Sequence, residues 1–278
     1  MSTLYLSDLD GTLFTTKKNL SERTVSLLTE CIEAGAQFAV ATARMPYGCD
    51  YRLKELPLHT PSILTNGVFI YDFNTKSYLS TKTMDTSSVR LVLDAFQKLD
   101  TGVFLYTLEK NEIRIFYNRE DMVSQTQYYS DRALDCCKSV EYLSDLSSVV
   151  KEDTVFYLAC TDTEEKLKPI HDAIANIPGI SCAYYLNIYN GLYCIEIFSD
   201  RATKKHALLE LKEMLGCDEV VVFGDNLNDL SMFEVADRCY AVENSLDVVK
   251  EQATKIIPGC DEDGVALFLH EEIFGNGK

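Results

Sequence analysis

The residues with the plainest chemical potential stand near the start of the chain, in Asp8-Leu9-Asp10-Gly11-Thr12-Leu13. Two carboxylates one residue apart repel each other, and folding gains nothing by clustering them unless a cation or a proton intervenes. A second acidic string, Gly224-Asp225-Asn226-Leu227-Asn228-Asp229, lies far along the chain. Between them fall Thr42-Ala43-Arg44, with a hydroxyl and a guanidinium, and the adjacent lysines Lys204-Lys205. Oxygen donors in this density suit a divalent cation. Each string taken alone reads equally as a solvated strand end, so the elements that carry them decide the matter.

An apolar run, Leu4-Tyr5-Leu6, precedes the first acids and predicts a strand. Side chains alternate along a strand, so Asp8 and Asp10 would share a face if it ran on, and Gly11 frees the backbone to turn after them. Ser21 as N-cap, apolar residues at Val25, Leu27, Leu28, Cys31 and Ile32, and then Gly35 predict a helix. A buried strand over 37–42 completes a strand–helix–strand unit, for which a parallel, right-handed crossover is expected. Ligands of open parallel sheets bind at the carboxyl ends of the strands, which brings Thr42 to the same edge as the first acids. A helix over 47–56, a third strand over 62–65 ending in Asn66-Gly67, and a hairpin over 68–81 around Asn74-Thr75-Lys76 come next. After a helix over 201–216, a strand over 219–223 delivers Asp225 to its carboxyl end, and a strand over 238–242, a helix over 246–250, a short strand over 254–257 and a last helix close the chain.

Between 82 and 199 the pattern changes. A helix over 86–99, strands over 103–106 and 112–117, a helix over 121–133, a strand over 154–160, a helix over 164–174 and strands over 181–186 and 192–198 predict a separate α+β layer. Tyr184-Tyr185 and the alternation from Tyr193 to Phe198 are expected to pack within a sheet. The expected organisation is therefore a discontinuous core, 1–81 with 200–278, and an inserted domain, 82–199.

Composition narrows the partners. The 278 residues are 46% hydrophobic and 25% charged, as in globular proteins, and no apolar run approaches a membrane span. The apolar stretch at the start is short and carries Asp8 and Asp10, unlike a secretory signal, so a cytoplasmic location is expected. A net charge of −17 argues against nucleic acid and anionic membranes as partners, because the overall field repels both, but admits a small anion that meets a local cation. Ten cysteines without a C-x-x-C pair predict free thiols, and the adjacent Cys136-Cys137 suits neither a bridge nor a zinc site. The four histidines, His59, His171, His206 and His270, lack metal-ligand spacing.

Asp-Leu-Asp-Gly-Thr-Leu resembles the first motif of the haloacid dehalogenase (HAD) superfamily of aspartate-nucleophile phosphohydrolases. Ala-Thr-Ala-Arg resembles the second motif, with Ala43 where this branch usually has glycine. Thr-Lys at Lys204 resembles the third, with Lys205 as the alternative register. Gly-Asp-x-x-Asn-Asp followed by Met232 resembles the fourth motif in the Cof-like branch, subfamily IIB. The resemblance covers the chain from end to end. It implies an α/β fold, a Rossmann-like parallel-sheet core with an inserted α+β cap of type C2B that closes over the site. It implies Asp8 as nucleophile, Asp10 as general acid and base, and Mg2+ held by Asp8, the Asp10 carbonyl and Asp225, with Asn226 or Asp229 steadying it. Backbone N–H groups near Leu9 and Ala43, the Thr42 hydroxyl, Lys204 and the Asn228 amide would cradle the phosphate. Asn66, close to the site in this branch, and Arg44, two residues after Thr42, are further candidates. The expected activity is Mg2+-dependent hydrolysis of small phosphate monoesters, sugar phosphates foremost, by a monomer or weak dimer acting on a phosphorylated metabolite. A phosphomutase of the phosphomannomutase type and a non-catalytic ligand-binding protein on the same scaffold are the alternatives.

Overall fold

The computed structural model describes residues 2–122, 137–187 and 190–275. Strand β1 (Thr3–Ser7) leads to α1 (Glu22–Glu33), where the Ser21 hydroxyl accepts the Thr24 amide. Helix α1 buries Leu28, Cys31 and Ile32 and ends at Ala34, after which Gly35 turns the chain at φ 98°. There follow β2 (Gln37–Val40), α2 (Pro46–Leu53), β3 (Ser62–Leu64), β4 (Phe69–Asp72) and β5 (Ser77–Thr81). Next come α3 (Thr86–Lys98), β6 (Phe104–Glu109), β7 (Glu112–Tyr117), β8 (Cys137–Tyr142) and β9 (Val155–Asp162). Helix α4 (Glu164–Ile174) precedes β10 (Ile180–Asn187) and β11 (Leu192–Ser199). The chain closes with α5 (Lys204–Leu215), β12 (Glu219–Gly224), α6 (Leu230–Phe233), β13 (Arg238–Val242), α7 (Asp247–Gln252), β14 (Lys255–Ile257) and α8 (Gly264–Phe274).

These elements form two compact units, Met1–Ser80 with Thr203–Lys278, and Thr81–Ala202. The first contains a parallel sheet in the order β14-β13-β12-β1-β2. Its register is what matters for chemistry. Ser7 lies opposite both Val40 and Phe223, so β1, β2 and β12 end at the same level. Leu4, Leu6, Ala39, Val220 and Val222 share a core with Ala207, Leu208 and Leu211 of α5. Strands this apolar are stable only when covered, and burying them fixes the loops at their carboxyl ends along the sheet's edge.

Strand β3 belongs to a second sheet of this unit. It pairs antiparallel with β4 in a sheet ordered β3-β4-β5, and meets the parallel sheet through the parallel bridge Ala41↔Ile63 and the hydrogen bond from the Val40 amide to the Ser62 hydroxyl. The cause is local. Thr65, Asn66 and Gly67 take φ of 53°, 51° and 100° in succession, which reverses the chain at once and commits β3 to β4.

The second unit is a sheet ordered β10-β11-β9-β6-β7-β8, antiparallel except for β7 with β8. Val89, Val92 and Phe96 of α3 and Leu167, Ile170 and Ile174 of α4 pack with Leu105, Phe116, Leu158, Ile195 and Ile197 of the sheet. Tyr184 stacks between His171 and Tyr193, so that aromatic group serves packing, as expected. Strand β8 was not foreseen, because Cys-Lys-Ser-Val-Glu-Tyr carries two charges and sits at a sheet edge. The helix expected over 121–133 falls almost wholly outside the described residues; Asp121 lies in a short 3-10 turn, Glu120–Met122. The described cysteines are free thiols, and among the described residues no helix is long and apolar enough to cross a membrane.

Leu6 is fully buried at the middle of β1. Leu6→Ala should cost about 2–5 kcal/mol of stability, read as a lower urea midpoint, and a loss below about 1 kcal/mol would contradict this packing.

Candidate active site

The end of β1 supplies the first group. The Asp8 amide donates to the Phe223 carbonyl at 3.0 Å, which carries the parallel ladder one residue past the strand. The chain then coils, with the Leu9 carbonyl accepting the amides of Thr12, Leu13 and Phe14 at 3.3, 3.1 and 2.7 Å. Gly11 lies in this coil at φ 88°, and a Cβ there would stand 2.5 Å from Asp225 Oδ2. A side chain at this position would push Asp225 away, so glycine is required for close approach as well as for the turn. The Thr12 hydroxyl donates to Asp225 Oδ1 at 2.9 Å and locks the two loops together.

Lys204 is the first residue of α5, whose N-cap Thr203 accepts the His206 amide. The helix start is seated on Gly67, where a Cβ would lie 2.3 Å from the Thr203 carbonyl oxygen. Lys204 is 2% exposed, and its Nζ donates to Asp8 Oδ1 at 2.7 Å and to Asp229 Oδ1 at 2.8 Å. Lys205 points elsewhere and pairs with Glu234 at the surface, so of the two adjacent lysines it is Lys204 that meets Asp8. Asp229 Oδ2 accepts the amides of Asp225 and Asn226 at 2.9 and 3.1 Å. Both oxygens of Asp229 are thus engaged in holding the lysine and the loop.

The charges do not balance. Carboxylate oxygens of Asp8, Asp225 and Asp229 lie within 4.8 Å of one another around one ammonium. Burial pushes the Asp8 carboxyl up to about 7; Lys204 opposes this, while Asp229 and Asp225 add to it. Burial likewise pushes Asp225 up to about 6, against the Thr12 hydrogen bond and with the help of Asp229. Burial works against the Lys204 ammonium, yet the two carboxylates outweigh it and hold its pKa above the ordinary lysine value. Among the described residues no hydrogen-bond donor meets Asp8 Oδ2 or Asp225 Oδ2. Two hard oxygens with excess negative charge beside them fit a divalent cation.

Asp10 stands apart. Strand β1 ends at Ser7, so alternation does not carry Asp10 to the face of Asp8. Its carboxylate is gripped by Arg44 in a two-pronged pair, Nε to Oδ2 and Nη2 to Oδ1, each 2.6 Å. Arg44 in turn lies 5.7 Å from the Phe14 ring centre. Thr42 is buried, and its Oγ1 accepts the Arg44 amide at 3.2 Å. The Thr42 carbonyl accepts the Asn66 amide at 2.9 Å, and Asn66 Oδ1 meets Asn228 Nδ2 at 3.4 Å. Leu9 is fully buried, while Ala43 and Asn228 are exposed. Asn226 is exposed too, and its Oδ1 accepts the Leu227 amide at 2.8 Å, which commits that oxygen to capping its own loop. The loop thus presents a carboxylate oxygen of Asp225 that meets no donor among the described residues, beside an Asn226 amide oxygen that already accepts one N–H.

Two contributors were not read from the sequence. The Thr12 hydroxyl had a signal, its place directly after the glycine. Asn244, whose Nδ2 donates to the Gly11 carbonyl at 2.7 Å, had none.

A parallel α/β core whose aligned strand ends gather buried aspartates about one lysine defines an enzyme with its site at the carboxyl edge of the sheet. The chain belongs to the haloacid dehalogenase-like hydrolase family, whose sequence profile matches residues 5–269. It is 25% identical to pyridoxal phosphate phosphatase YbhA of Escherichia coli, over 96% of this chain and 97% of that one. It is also 25% identical to 5-amino-6-(5-phospho-D-ribitylamino)uracil phosphatase YwtE of Bacillus subtilis, with the same coverage of 96% and 97%. In fold it resembles a haloacid dehalogenase-like hydrolase from Bacteroides thetaiotaomicron, with a TM-score of 0.77, 24% identity, and 99% and 100% of the two chains covered.

Lys204→Met would leave Asp8 and Asp229 facing each other without their cation. It should cost about 3–5 kcal/mol at pH 8, measured by urea denaturation. The loss should shrink at pH 5, because a carboxylate whose pKa is raised by folding destabilises the fold only as pH rises through that pKa. A loss independent of pH would contradict the shared-lysine arrangement.

Proposed function

We propose that this protein is a Mg2+-dependent phosphatase that hydrolyses small phosphate monoesters, sugar phosphates foremost, through an aspartyl-phosphate on Asp8. One observation carries the reading. Asp8 is buried with one oxygen on Lys204, its other oxygen meets no donor among the described residues, and a carboxylate oxygen of Asp8 lies within 4.8 Å of one of Asp225. That is a restrained nucleophile beside a site for a cation. The two named relatives, at 25% identity, are phosphatases of small phosphorylated metabolites, which supports the substrate class.

Phosphate monoesters hydrolyse so slowly in water that the site must supply on the order of 20 kcal/mol of transition-state stabilisation. Covalent catalysis divides the task into two displacements. In the first, an Asp8 oxygen attacks phosphorus, the bond to the leaving oxygen breaks, and Asp10 in its acid form protonates the departing alkoxide. In the second, Asp10 as carboxylate takes a proton from water, the water oxygen attacks phosphorus, and the bond to Asp8 breaks, which releases inorganic phosphate. Bound Mg2+, held by Asp8, the Asp10 carbonyl and Asp225, would supply positive charge against repulsion between a carboxylate and a phosphoryl anion. Lys204, the Thr42 hydroxyl, the N–H groups near Leu9 and Ala43, and the Asn228 amide would receive the phosphoryl oxygens, with Asn66 steadying Asn228. Asp229 orients Lys204 and the loop of Asp225. In a chain of net charge −17, such local donors are what allow an anion to approach.

Asp8→Asn should lower phosphate release by on the order of 10³-fold or more with the fold intact. Release should also vanish on chelation and return with Mg2+. The assay omits any sugar bisphosphate, so sustained release of inorganic phosphate marks a phosphatase, whereas a mutase left without its activator would release none. Full activity in Asp8→Asn would overturn the nucleophile assignment.

Arg44 is assigned to hold Asp10 in position. Arg44→Ala should reduce kcat by about 10-fold or more, the scale of a misplaced general acid, with KM changed less. Arg44→Lys should not restore it, since lysine lacks the two-pronged geometry. A change confined to KM would instead make Arg44 a substrate contact.

A further inference from the structure

We infer that Asn244 is a positioning residue for the carboxylate centre, tying the turn after Asp10 to the same segment that holds the turn of Asp225. The inference rests on the reading of that centre as a cation site. Asn244 lies between β13 and α7, in Glu243-Asn244-Ser245-Leu246, outside all four motif strings. Its side chain works at both ends. Nδ2 donates to the Gly11 carbonyl at 2.7 Å, and Oδ1 accepts the Cys260 amide at 2.9 Å. The next residue, Ser245, donates its hydroxyl to the Gly224 carbonyl at 3.2 Å, and the Leu246 amide donates to the Asp225 carbonyl at 3.0 Å. Three consecutive residues thus grip both acid-bearing turns and the turn at Cys260.

The chemistry explains why such a brace is needed. The turns at Gly11 and Asp225 approach until only a glycine fits between them, and one of them carries a carboxylate whose charge is not balanced. Without a tie, repulsion between carbonyl and carboxylate oxygens favours separation. Asn244 and Ser245 hold both turns with neutral donors and add no charge to compete for the cation. The Gly11 carbonyl that Asn244 fixes is flanked by the Asp10 carbonyl on one side and by Thr12, the partner of Asp225, on the other. Only a side chain that donates and accepts at once satisfies Gly11 and Cys260 together, and asparagine does so.

The test is a calorimetric titration of Mg2+ into the full chain, as wild type, Asn244→Ala and Asn244→Ser. Serine keeps the loop polar but is too short to span both partners. Both variants should bind Mg2+ about 10–100-fold more weakly, the usual effect of removing a group that orients metal ligands. Melting in chelator separately reads any cost to the fold. A variant that melts lower yet binds Mg2+ within about twofold of wild type overturns the inference, because it assigns Asn244 to stability alone. Should Asn244→Ala not fold, Asn244→Ser decides by the same criterion. Wild type that binds no Mg2+ removes the cation-site reading and this inference with it, whereas wild-type binding with unchanged variants removes only the inference.

Discussion

One buried ammonium facing three aspartates is the constraint on which the site depends. Lys204 satisfies one oxygen each of Asp8 and Asp229 and leaves Asp225 to a threonine hydroxyl. Burying unpaired charge is among the costliest things a fold does, and proteins meet that cost by protonation, pairing or a bound cation. Here pairing is incomplete, and the two aspartates with a free oxygen are the two whose affinity for protons is raised. Asp229, in contrast, has both oxygens engaged and serves as the fixed anion between the lysine and the loop. Three chemically identical side chains acquire different roles from their partners alone.

Holding such charges together takes backbone as much as side chains. Gly11 admits Asp225, Gly67 admits the start of α5 that bears Lys204, and Gly224 admits Asp229, whose Cβ would stand 2.6 Å from a Cβ at that glycine. Each glycine marks a place where one loop must touch another. The parallel register completes the frame: β1, β2 and β12 end level, so groups separated by most of the chain arrive at one edge.

How far this was legible in the sequence depends on the range of the forces involved. Hydrophobic runs ending in Gly and Asp predicted the strand ends at Asp8 and Asp225, because burial and turning act over a few residues. The helices over 164–174 and after Ser21 were legible for the same reason, through caps and apolar spacing. The choice between Lys204 and Lys205 was not, since one residue of helix turns a side chain by about 100° and only packing decides which turns inward. The pairing of Asp10 with Arg44 was equally hidden. It depends on β1 stopping at Ser7, and strand alternation says nothing beyond the last paired residue. Strand β8 and Asn244 carry no local pattern at all; their places are set by partners distant in sequence.

The most direct test of the charge excess is the proton balance of Mg2+ binding, measured by calorimetry at pH 6.5 in buffers of different ionisation enthalpy. Asp8, raised to about 7, holds most of its proton at that pH in the metal-free protein, and Asp225, raised to about 6, a smaller share. A cation that takes their oxygens must displace those protons. The account predicts net proton release on binding and an affinity that rises between pH 5.5 and 7.5. Binding without proton release, at an affinity constant over that range, would show that the aspartates are already ionised and balanced, and would contradict it.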